Sequence, residues 1–424
     1  MAEGGDGMVM GSKSQMIADI LWQKISSGEC SGRLPAEQEL ARQFAVSPVT
    51  ASKALNILRD KGIVTRMARQ GTFVIPLEKK VLKIRFSDIE FADMFKKYAE
   101  EKFRDVRIEV VNCFEEADAA ICASTLPFFP GEYFLPVPRE RLLRLRESGR
   151  FFPQIFEFFN LCGMVWNVPF VFSPDILLYN KKIMQQIAPG FSPYELTFEM
   201  LLELQKKLPG GVHLFAGQGE ALMLSFIYNL SGDTCGIDVY RKAADMLSCF
   251  DCGGDFSDFL AGKVLFATAF RSKCRRLTKD FDVAPMPEIN GKRLCHTASQ
   301  TFWVRHSTLH ADLLFEIWES LFDPAFQQRI AALHGNISAD ASIATAAMDS
   351  RFIRDDIFFN EIKNMDFSHR HMQDAIASCF SSALKKLVCS YISPGEFLKE
   401  VEEGLLYESK RRQTLREYFN WKEI

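Results

Sequence analysis

The sequence predicts an α/β protein in two parts, a winged helix-turn-helix at the N-terminus and a larger α/β region behind it. Residues 34–74 contain two stretches of helical periodicity separated by a turn, then two short β-branched runs. After Pro76, strands alternate with helices, which is typical of a sheet with parallel strands. The chain has 424 residues, so the part behind the small domain is long enough for two lobes of ordinary size.

The N-terminal helices can be placed from their apolar spacing and their caps. A first helix is predicted over residues 14–26, and its inward residues are Ile17, Ile20, Leu21 and Ile25. A second helix is expected to begin at Pro35 and to end at a tight turn formed by Val46 and Ser47. Ser47 can cap the third helix with its hydroxyl, and Pro48 suits the first helical position because its missing N–H would be unpaired there. The buried stripe of this third helix is Ala51, Ala54, Leu55 and Leu58.

The opposite face of the third helix suggests what the domain binds. This face carries Val49, Thr50, Ser52, Lys53 and Asn56. Short polar and cationic side chains at this place reach base edges and phosphates in a major groove. Gly62 ends the helix, and residues 63–65 and 72–75 form a two-stranded wing. The wing tip that would lie beside the phosphate backbone is Arg66, Arg69, Gln70 and Gly71.

These motifs resemble the N-terminal domain of the gluconate-repressor (GntR) family of bacterial transcription regulators. The matching segments are the LPxExELA start, the VSxxT turn, the AL centre and the closing GTFV. The resemblance implies contacts with double-stranded DNA from Gln38, Ser47, Val49, Thr50, Ser52, Lys53, Arg66, Arg69, Gln70 and Gly71. Arginine is frequent in the family at three positions that are Gln38, Pro48 and Ser52 here, and Arg69 replaces the first wing glycine. We therefore expect weaker direct readout of guanine.

The distribution of charge agrees with DNA binding by this segment alone. The whole chain has a net charge of −3, whereas residues 13–76 hold nine Lys or Arg against five Asp or Glu, a net charge of +4. Such a small surplus predicts modest affinity for each domain. A homodimer that reads two half-sites would add the phosphate contacts of its two domains.

Other classes of protein lack support in the sequence. No apolar run reaches the roughly 18 residues of a membrane helix, and the N-terminus has no secretory apolar region, so we expect a cytoplasmic protein. The eleven cysteines fit a reducing compartment, and the CxxC formed by Cys249 and Cys252 is a weak indication of zinc. The seven histidines show no HExxH spacing, and there is no GxSxG motif or phosphate-binding loop. We expect no catalysis, no cofactor and no metal.

The first elements of the larger region suggest one half of a ligand site. Strands are predicted over residues 81–86, 106–111 and 119–123, with a helix over residues 91–103. Ligands of such sheets bind beyond the carboxyl ends of the strands. The polar residues at those ends are Ser87, Asp88, Ser124 and Thr125.

The region from about residue 80 to 424 resembles the type 1 extracellular solute-binding proteins, the class that includes maltose-binding protein. The landmarks are the run from Val168, VPFVFSPDILLYNKKIM, then GKVLFATAF, FDVAPMPEINGKR and TASQTFWVRHST in the same order. The resemblance implies a periplasmic-binding-protein-like (type II) clamshell whose lobes close on a small polar ligand, commonly a sugar or oligosaccharide. Lobe 1 would span about residues 80–168 and 286–328, and lobe 2 about residues 172–284 and 330–424. Residues 1–12 are expected to be disordered.

Matching positions imply further ligand contacts. They are Ser173, Asp175, Gln218, Glu220, Phe270, Arg271, Gln300, Phe302 and Asn336. Carboxylates and amides suit paired sugar hydroxyls, and an aromatic ring suits the apolar face of a pyranose.

The two resemblances together predict a ligand-responsive regulator in which closure of the clamshell changes the distance or orientation of two DNA-binding domains. One alternative is a pyridoxal-phosphate aminotransferase-like sensor. It needs a Schiff-base lysine, and the nearest candidate, Lys273, stands in an unsuitable context. The other alternative is a solute-binding protein without regulatory coupling, against which the missing signal peptide argues.

Overall fold

The protein is described by a computed structural model that covers most of the chain and divides into two compact units. The described residues are 12–26, 29–68, 70–75, 79–87, 89–123, 133–161, 164–217, 220–231, 237–274, 277, 279–333, 335–349, 354–365, 383, 386–387 and 391–419. One unit combines residues 1–82 with 93–109, and the other combines residues 83–92 with 110–424. The predicted disorder of residues 1–12 lies, apart from Ser12, outside the described residues.

The first unit begins with three helices and a strand pair. They are α1 (Lys13–Ser26), α2 (Glu37–Gln43), α3 (Pro48–Asp60), β1 (Val64–Met67) and β2 (Gly71–Val74). The backbone N–H of Thr50 donates to the Ser47 hydroxyl, and Pro48 occupies the first turn, as predicted. The helix predicted from Pro35 begins two residues later, because Ala36 is still in an extended conformation. The four residues predicted as the buried stripe of α3 are all buried.

The remaining elements alternate between strands and helices. In the first part of this region they are β3 (Lys80–Phe86), α4 (Ile89–Lys102), β4 (Val106–Val111), β5 (Ala119–Ala123), β6 (Phe134–Leu135), α5 (Arg139–Glu147), β7 (Asn160–Leu161), β8 (Met164–Val165), β9 (Val171–Pro174), β10 (Ile176–Asn180), α6 (Lys181–Ile187) and α7 (Phe198–Lys206). There follow β11 (His213–Phe215), α8 (Glu220–Leu230), α9 (Ile237–Ser248), α10 (Phe256–Leu260), β12 (Val264–Ala269), α11 (Arg271–Cys274), β13 (Phe281–Ala284) and β14 (Thr297–Arg305). The last are α12 (Ala311–Ser320), α13 (Pro324–Leu333), β15 (Ile337–Ser338), α14 (Ala341–Ala346), α15 (Asp356–Glu361) and α16 (Pro394–Phe419).

Two mixed sheets organise most of these strands into two lobes, and β7 and β8 form a separate antiparallel pair. The larger sheet has the order β15-β9-β14-β5-β3-β4, with β6 also paired to β14. The smaller sheet has the order β11-β12-β10-β13. The predicted parallel pairing holds between β3 and β5 and between β11 and β12, whereas β14 runs antiparallel to both β5 and β9. The sequence pattern missed the antiparallel strands because periodicity reports burial and not strand direction.

The chain passes from the larger sheet to the smaller one at Asp175, the only residue between β9 and β10. The sequence-based division placed residues 172–174 and 337–338 in the second lobe. Both segments, β9 and β15, instead pair within the larger sheet. The other lobe boundaries remain predictions.

Aromatic side chains fill the core of the larger-sheet lobe. Trp303 on β14 is fully buried, and its ring centroid lies 5.4 Å from that of Phe134 and 4.9 Å from that of Phe159. Such ring pairs contribute about 0.5–1.5 kcal/mol beyond the area that they bury. The rings of Phe134 and Phe159 are therefore part of this core.

Candidate functional site

The recognition face of α3 keeps an apolar and a cationic side chain in solvent. Val49 is 64% exposed, and Lys53 is exposed one turn further on. The hydroxyl groups of Ser47 and Thr50 interact with each other, since their oxygens lie 2.9 Å apart, and the Ser47 hydroxyl also caps the helix. Gln38 is exposed on α2. The surface offered to a groove is therefore less polar than the sequence alone indicates.

The side chain of Arg66, which was predicted at the wing tip, forms hydrogen bonds and an ion pair within the domain. Its Nη1 donates to Asn56 Oδ1 at 2.7 Å and to Ser52 Oγ at 3.4 Å. Its Nη2 forms an ion pair with the Glu37 carboxylate. The guanidinium thereby joins β1 to both α2 and α3, and it holds the wing in place.

Arg33 is a cation near the wing that the sequence reasoning missed. The chain on both sides of it pairs with β2, because Leu34 N donates to Thr72 O at 2.9 Å and Val74 N donates to Gly32 O at 2.8 Å. A Cβ added to Gly71, whose φ is +112°, would lie 2.9 Å from Arg33 Nε. The absence of a side chain at Gly71 therefore makes room for this guanidinium, which is exposed.

The clue to Arg33 in the sequence was its place directly before the LPxE motif, since a segment that flanks a wing strand can pair with it. Of the other predicted wing residues, Gln70 is exposed, and Arg69 lies outside the described residues.

Three of the residues predicted to bind ligand meet where the chain passes between the two sheets. Ser173 on β9 is fully buried, and its hydroxyl accepts a hydrogen bond from the backbone N of Arg271 at 3.1 Å. Asn336 precedes β15, and its Oδ1 accepts from Ser272 N at 2.9 Å. These two bonds tie the strands of the larger sheet to α11, which follows β12 of the smaller sheet.

The Arg271 side chain is 1% exposed and donates four hydrogen bonds to protein groups. Its Nε and Nη2 donate to the two carboxylate oxygens of Asp355 at 2.7 Å and 2.5 Å. Its Nη1 donates to Gly335 O at 2.8 Å, and Nη2 also donates to Ala347 O at 3.0 Å. In this conformation Arg271 does not present its guanidinium to a ligand as predicted. Its side chain is buried, and its hydrogen-bond donors contact other segments of the protein.

Asp175 also has a partner within the protein. Its Oδ2 lies 2.7 Å from Nδ1 of His296, and its backbone N donates to the His296 carbonyl at 2.8 Å. His296 lies just before β14, where the chain has returned to the larger sheet. This histidine was among the seven in the sequence but had no motif spacing that singled it out.

The other predicted ligand residues divide by exposure. Phe302 is fully buried on β14, so its ring is core and is not presented to a ligand. Ser87 is exposed, and Phe270 and Gln300 are partly exposed. Five predictions concern groups outside the described structure, namely Asp88, Ser124, Thr125, Gln218 and the side chain of Glu220.

The N-terminal geometry agrees with a comparison of sequences. Residues 13–74 match the family described as "Bacterial regulatory proteins, gntR family". They form a gntR-family helix-turn-helix domain. No curated protein matches the chain.

The part behind this domain has the fold of sugar-binding proteins. The maltose-bound MalE3 of T. maritima is 12% identical and has a TM-score of 0.61, with 77% of this chain and 99% of that chain covered. The substrate-binding protein Lmo0181 of Listeria monocytogenes, solved with cycloalternan, is 13% identical at a TM-score of 0.62, covering 81% and 100%. UgpB of Mycobacterium tuberculosis, solved with glycerophosphocholine, is 12% identical at a TM-score of 0.59, covering 79% and 99%. This fold is not that of an aminotransferase, and Lys273 is exposed on α11.

Two kinds of feature are absent from the described residues. No helix among them is long and apolar enough to cross a membrane. Within the same residues, no three His, Cys, Asp or Glu side chains are grouped so that they could hold a metal ion.

Proposed function

We propose that this protein is a transcription regulator that binds an operator as a homodimer and responds to a small carbohydrate. The observation that carries the proposal is the presence of a gntR-family domain and a two-lobed sugar-binding fold in one chain. A regulator of this kind works in the cytoplasm, where its operator is.

The DNA-binding domain acts through its exposed cations and the exposed face of α3. Lys53 and Arg33 contact phosphates, and Val49 packs against a thymine methyl group in the major groove. Arg66 does not touch DNA in this scheme. It positions the wing through Glu37 and Asn56.

The effector binds between the lobes. Ser87, Phe270 and Gln300 keep the role that the sequence predicted, with the five predicted groups outside the described structure as further contacts. Ligand binding closes the lobes about the crossing at Asp175, and closure changes the spacing or orientation of the two DNA-binding domains. Operator affinity then changes because the ligand binds the closed state more tightly than the open one.

A ligand panel followed by operator titration tests this function. Maltose, cycloalternan, D-mannitol and glycerophosphocholine represent the ligands solved with proteins of this fold. A bound effector raises the unfolding temperature of the full chain, since it binds only the folded state. The same compound then alters the affinity for a duplex selected from random DNA, measured by fluorescence anisotropy. If no carbohydrate in the panel changes both the unfolding temperature and the affinity for the duplex, the proposal of carbohydrate sensing is wrong.

Two variants separate the two activities. Phe270→Ala is expected to reduce the ligand-induced rise in unfolding temperature while it leaves DNA binding without ligand unchanged. Lys53→Gln is expected to weaken DNA binding while it leaves the ligand response intact. If both variants lose both activities, the division of labour between the two parts is wrong.

A further inference from the structure

Four residues of α3 form one stripe on the side opposite its buried residues. The stripe consists of Val49, Ser52, Lys53 and Asn56, whose spacing of i, i+3, i+4 and i+7 places them on the same side of a helix. Val49 and Lys53 are exposed, and Ser52 and Asn56 are partly exposed. In the proposed function this side of α3 enters the major groove.

The guanidinium of Arg66 lies against the two uncharged polar residues of this stripe. Its Nη1 donates to Asn56 Oδ1 at 2.7 Å and to Ser52 Oγ at 3.4 Å. Its Nη2 pairs with the Glu37 carboxylate on α2, which holds the guanidinium from the other side. The oxygen of the Asn56 amide is therefore directed at Arg66.

This contact fixes which atoms Asn56 can present to a partner. A guanidinium has only N–H donors, so the amide atom that faces it must be the oxygen. Because the amide group is planar, fixing its oxygen also fixes the direction of the two N–H donors on Nδ2. Within the part of the chain that the structure describes, no protein group accepts a hydrogen bond from this nitrogen. The donors of Asn56 are available, whereas Arg66 engages its acceptor.

The four bases differ in how they match such an amide. In the major groove guanine presents two acceptors, N7 and O6, which suit two donors. Adenine presents the acceptor N7 beside the donor N6, so an asparagine reads it with its amide nitrogen and oxygen together. Cytosine presents the donor N4, and thymine presents one acceptor and a methyl group. An amide held by Arg66 therefore favours guanine, whereas a released amide suits adenine.

We propose that Arg66 determines base specificity through Asn56. By holding Oδ1, Arg66 directs the Nδ2 donors of Asn56 to N7 and O6 of a guanine and prevents the paired contact with adenine. Arg66 is a positioning residue in this scheme and does not touch DNA. The inference rests on the proposed DNA binding and names one base that α3 reads.

Selection from random DNA tests this assignment without knowledge of the operator. Binding sequences are selected with the unmodified full chain and with Arg66→Met, whose side chain is long but has no hydrogen-bond donor. We expect one position in each half-site to change from guanine to adenine. In anisotropy titrations of two duplexes that differ at this base pair, a preference for guanine on the order of fivefold should become a preference for adenine. Arg66→Lys, which can still donate to Asn56, should keep the guanine preference.

Two substitutions of Asn56 identify the base pair that it reads. Asn56→Ala is expected to lose the preference at this position, both alone and together with Arg66→Met. Asn56→Asp keeps an oxygen for Arg66 and so preserves the wing, but its carboxylate has acceptors only. It should favour cytosine at the same position, because N4 of cytosine donates. This second variant tests the inference even if Arg66→Met does not fold.

Arg33→Gln is the matched control, since it removes a cation beside the same wing but outside this hydrogen-bond network. It is expected to weaken binding to both duplexes several-fold and to leave the ratio of the two affinities unchanged. A purely structural role of Arg66 predicts the same pattern for Arg66→Met. The ratio distinguishes the two roles, because partial unfolding lowers both affinities equally.

The outcomes separate this inference from the proposed function. If the unmodified protein selects no DNA sequence, both DNA recognition and this inference are wrong. If it selects a sequence but Asn56→Ala leaves every base preference unchanged, only this inference fails. A preference that depends on Asn56 but is the same in Arg66→Met contradicts the role of Arg66. A guanine that changes to adenine in Arg66→Met and to cytosine in Asn56→Asp supports both parts of the inference.

Discussion

Polar residues are exposed on the surface of the N-terminal domain, whereas they are buried at the crossing between the two sheets. In the N-terminal domain, Lys53 and Arg33 are exposed and leave their charges available to a partner. At the crossing, Ser173 and Arg271 are buried and direct their polar groups to other parts of the protein. Both regions were assigned to binding from residue type and position. The difference shows that a polar residue in a motif specifies a chemistry, whereas burial decides whether that chemistry serves a ligand or the fold.

Arg66 shows that the same distinction operates inside the DNA-binding domain. Its position on the wing predicted a contact with DNA, yet its guanidinium binds Glu37 and Asn56. Arg33 has no such role in the described residues and remains in solvent. Among the described residues, Arg66 on the wing stabilises the domain, whereas Arg33 beside the wing keeps its charge exposed.

The largest effect should come from breaking the buried cluster at the crossing. Arg271→Ala leaves the Asp355 carboxylate, which is 2% exposed, without its ion-pair partner. Removing one partner of a buried pair costs about 3–5 kcal/mol because the other charge stays desolvated. Urea unfolding followed by circular dichroism measures the loss. The control is Arg241→Ala, which breaks an exposed pair with Asp238 and should change stability by less than about 1 kcal/mol. Equal effects of the two variants would contradict a structural role for Arg271.

Substitutions at Arg33 and Arg66 are expected to have intermediate effects, one on operator affinity and the other on stability. Arg33→Gln should lower operator affinity several-fold and reduce the slope of log affinity against log salt by about 1, because one phosphate contact is lost. Arg66→Gln should leave that slope unchanged and instead lower the stability of the domain by about 1 kcal/mol, since its ion pair is only partly buried. Anisotropy titrations at several salt concentrations measure the slope. A change of slope for Arg66→Gln with none for Arg33→Gln would reverse the two assignments.

The smallest effect concerns the CxxC pair and needs no mutation. Burial and, to a smaller extent, the nearby Asp251 carboxylate together raise the pKa of the Cys252 thiol to about 12, whereas Cys249 is exposed. Because the thiolate is the reactive form, iodoacetamide at pH 8 should label Cys249 quickly and Cys252 slowly. The rate at Cys252 should increase as the pH rises toward 12. Peptide mapping by mass spectrometry compares the rates in one sample, and equal rates at pH 8 would contradict the difference in burial.

Local chemistry allowed much of the N-terminal domain to be predicted. The Ser47 cap, the Pro48 start and the Ala54 stripe depend on residues close together in the chain, so spacing was sufficient. The start of α2 was wrong by two residues, because helix ends depend on individual backbone angles. The role of Arg66 could not be predicted, since its partner Glu37 lies 29 residues away and the pairing needs the folded wing.

The larger region also combines predictable and unpredictable features. The order of its landmarks was enough to predict two lobes, and the comparisons bear out that fold. Sequence could not decide that Arg271 pairs with Asp355, 84 residues later, or that the ring of Phe302 faces the core. These outcomes depend on which strands are neighbours, and the antiparallel place of β14 between β5 and β9 is not encoded in any local pattern.

The sequence by itself determined the helix-turn-helix, the positive charge of that segment and the two-lobed class of the larger region. These properties follow from periodicity, composition and the order of motifs along the chain. Only the tertiary structure decided which arginines are available to a partner and which form ion pairs and hydrogen bonds within the protein. The physical reason is that an arginine in solvent keeps its donors for a ligand, whereas a buried one must satisfy them with protein groups brought together by the fold.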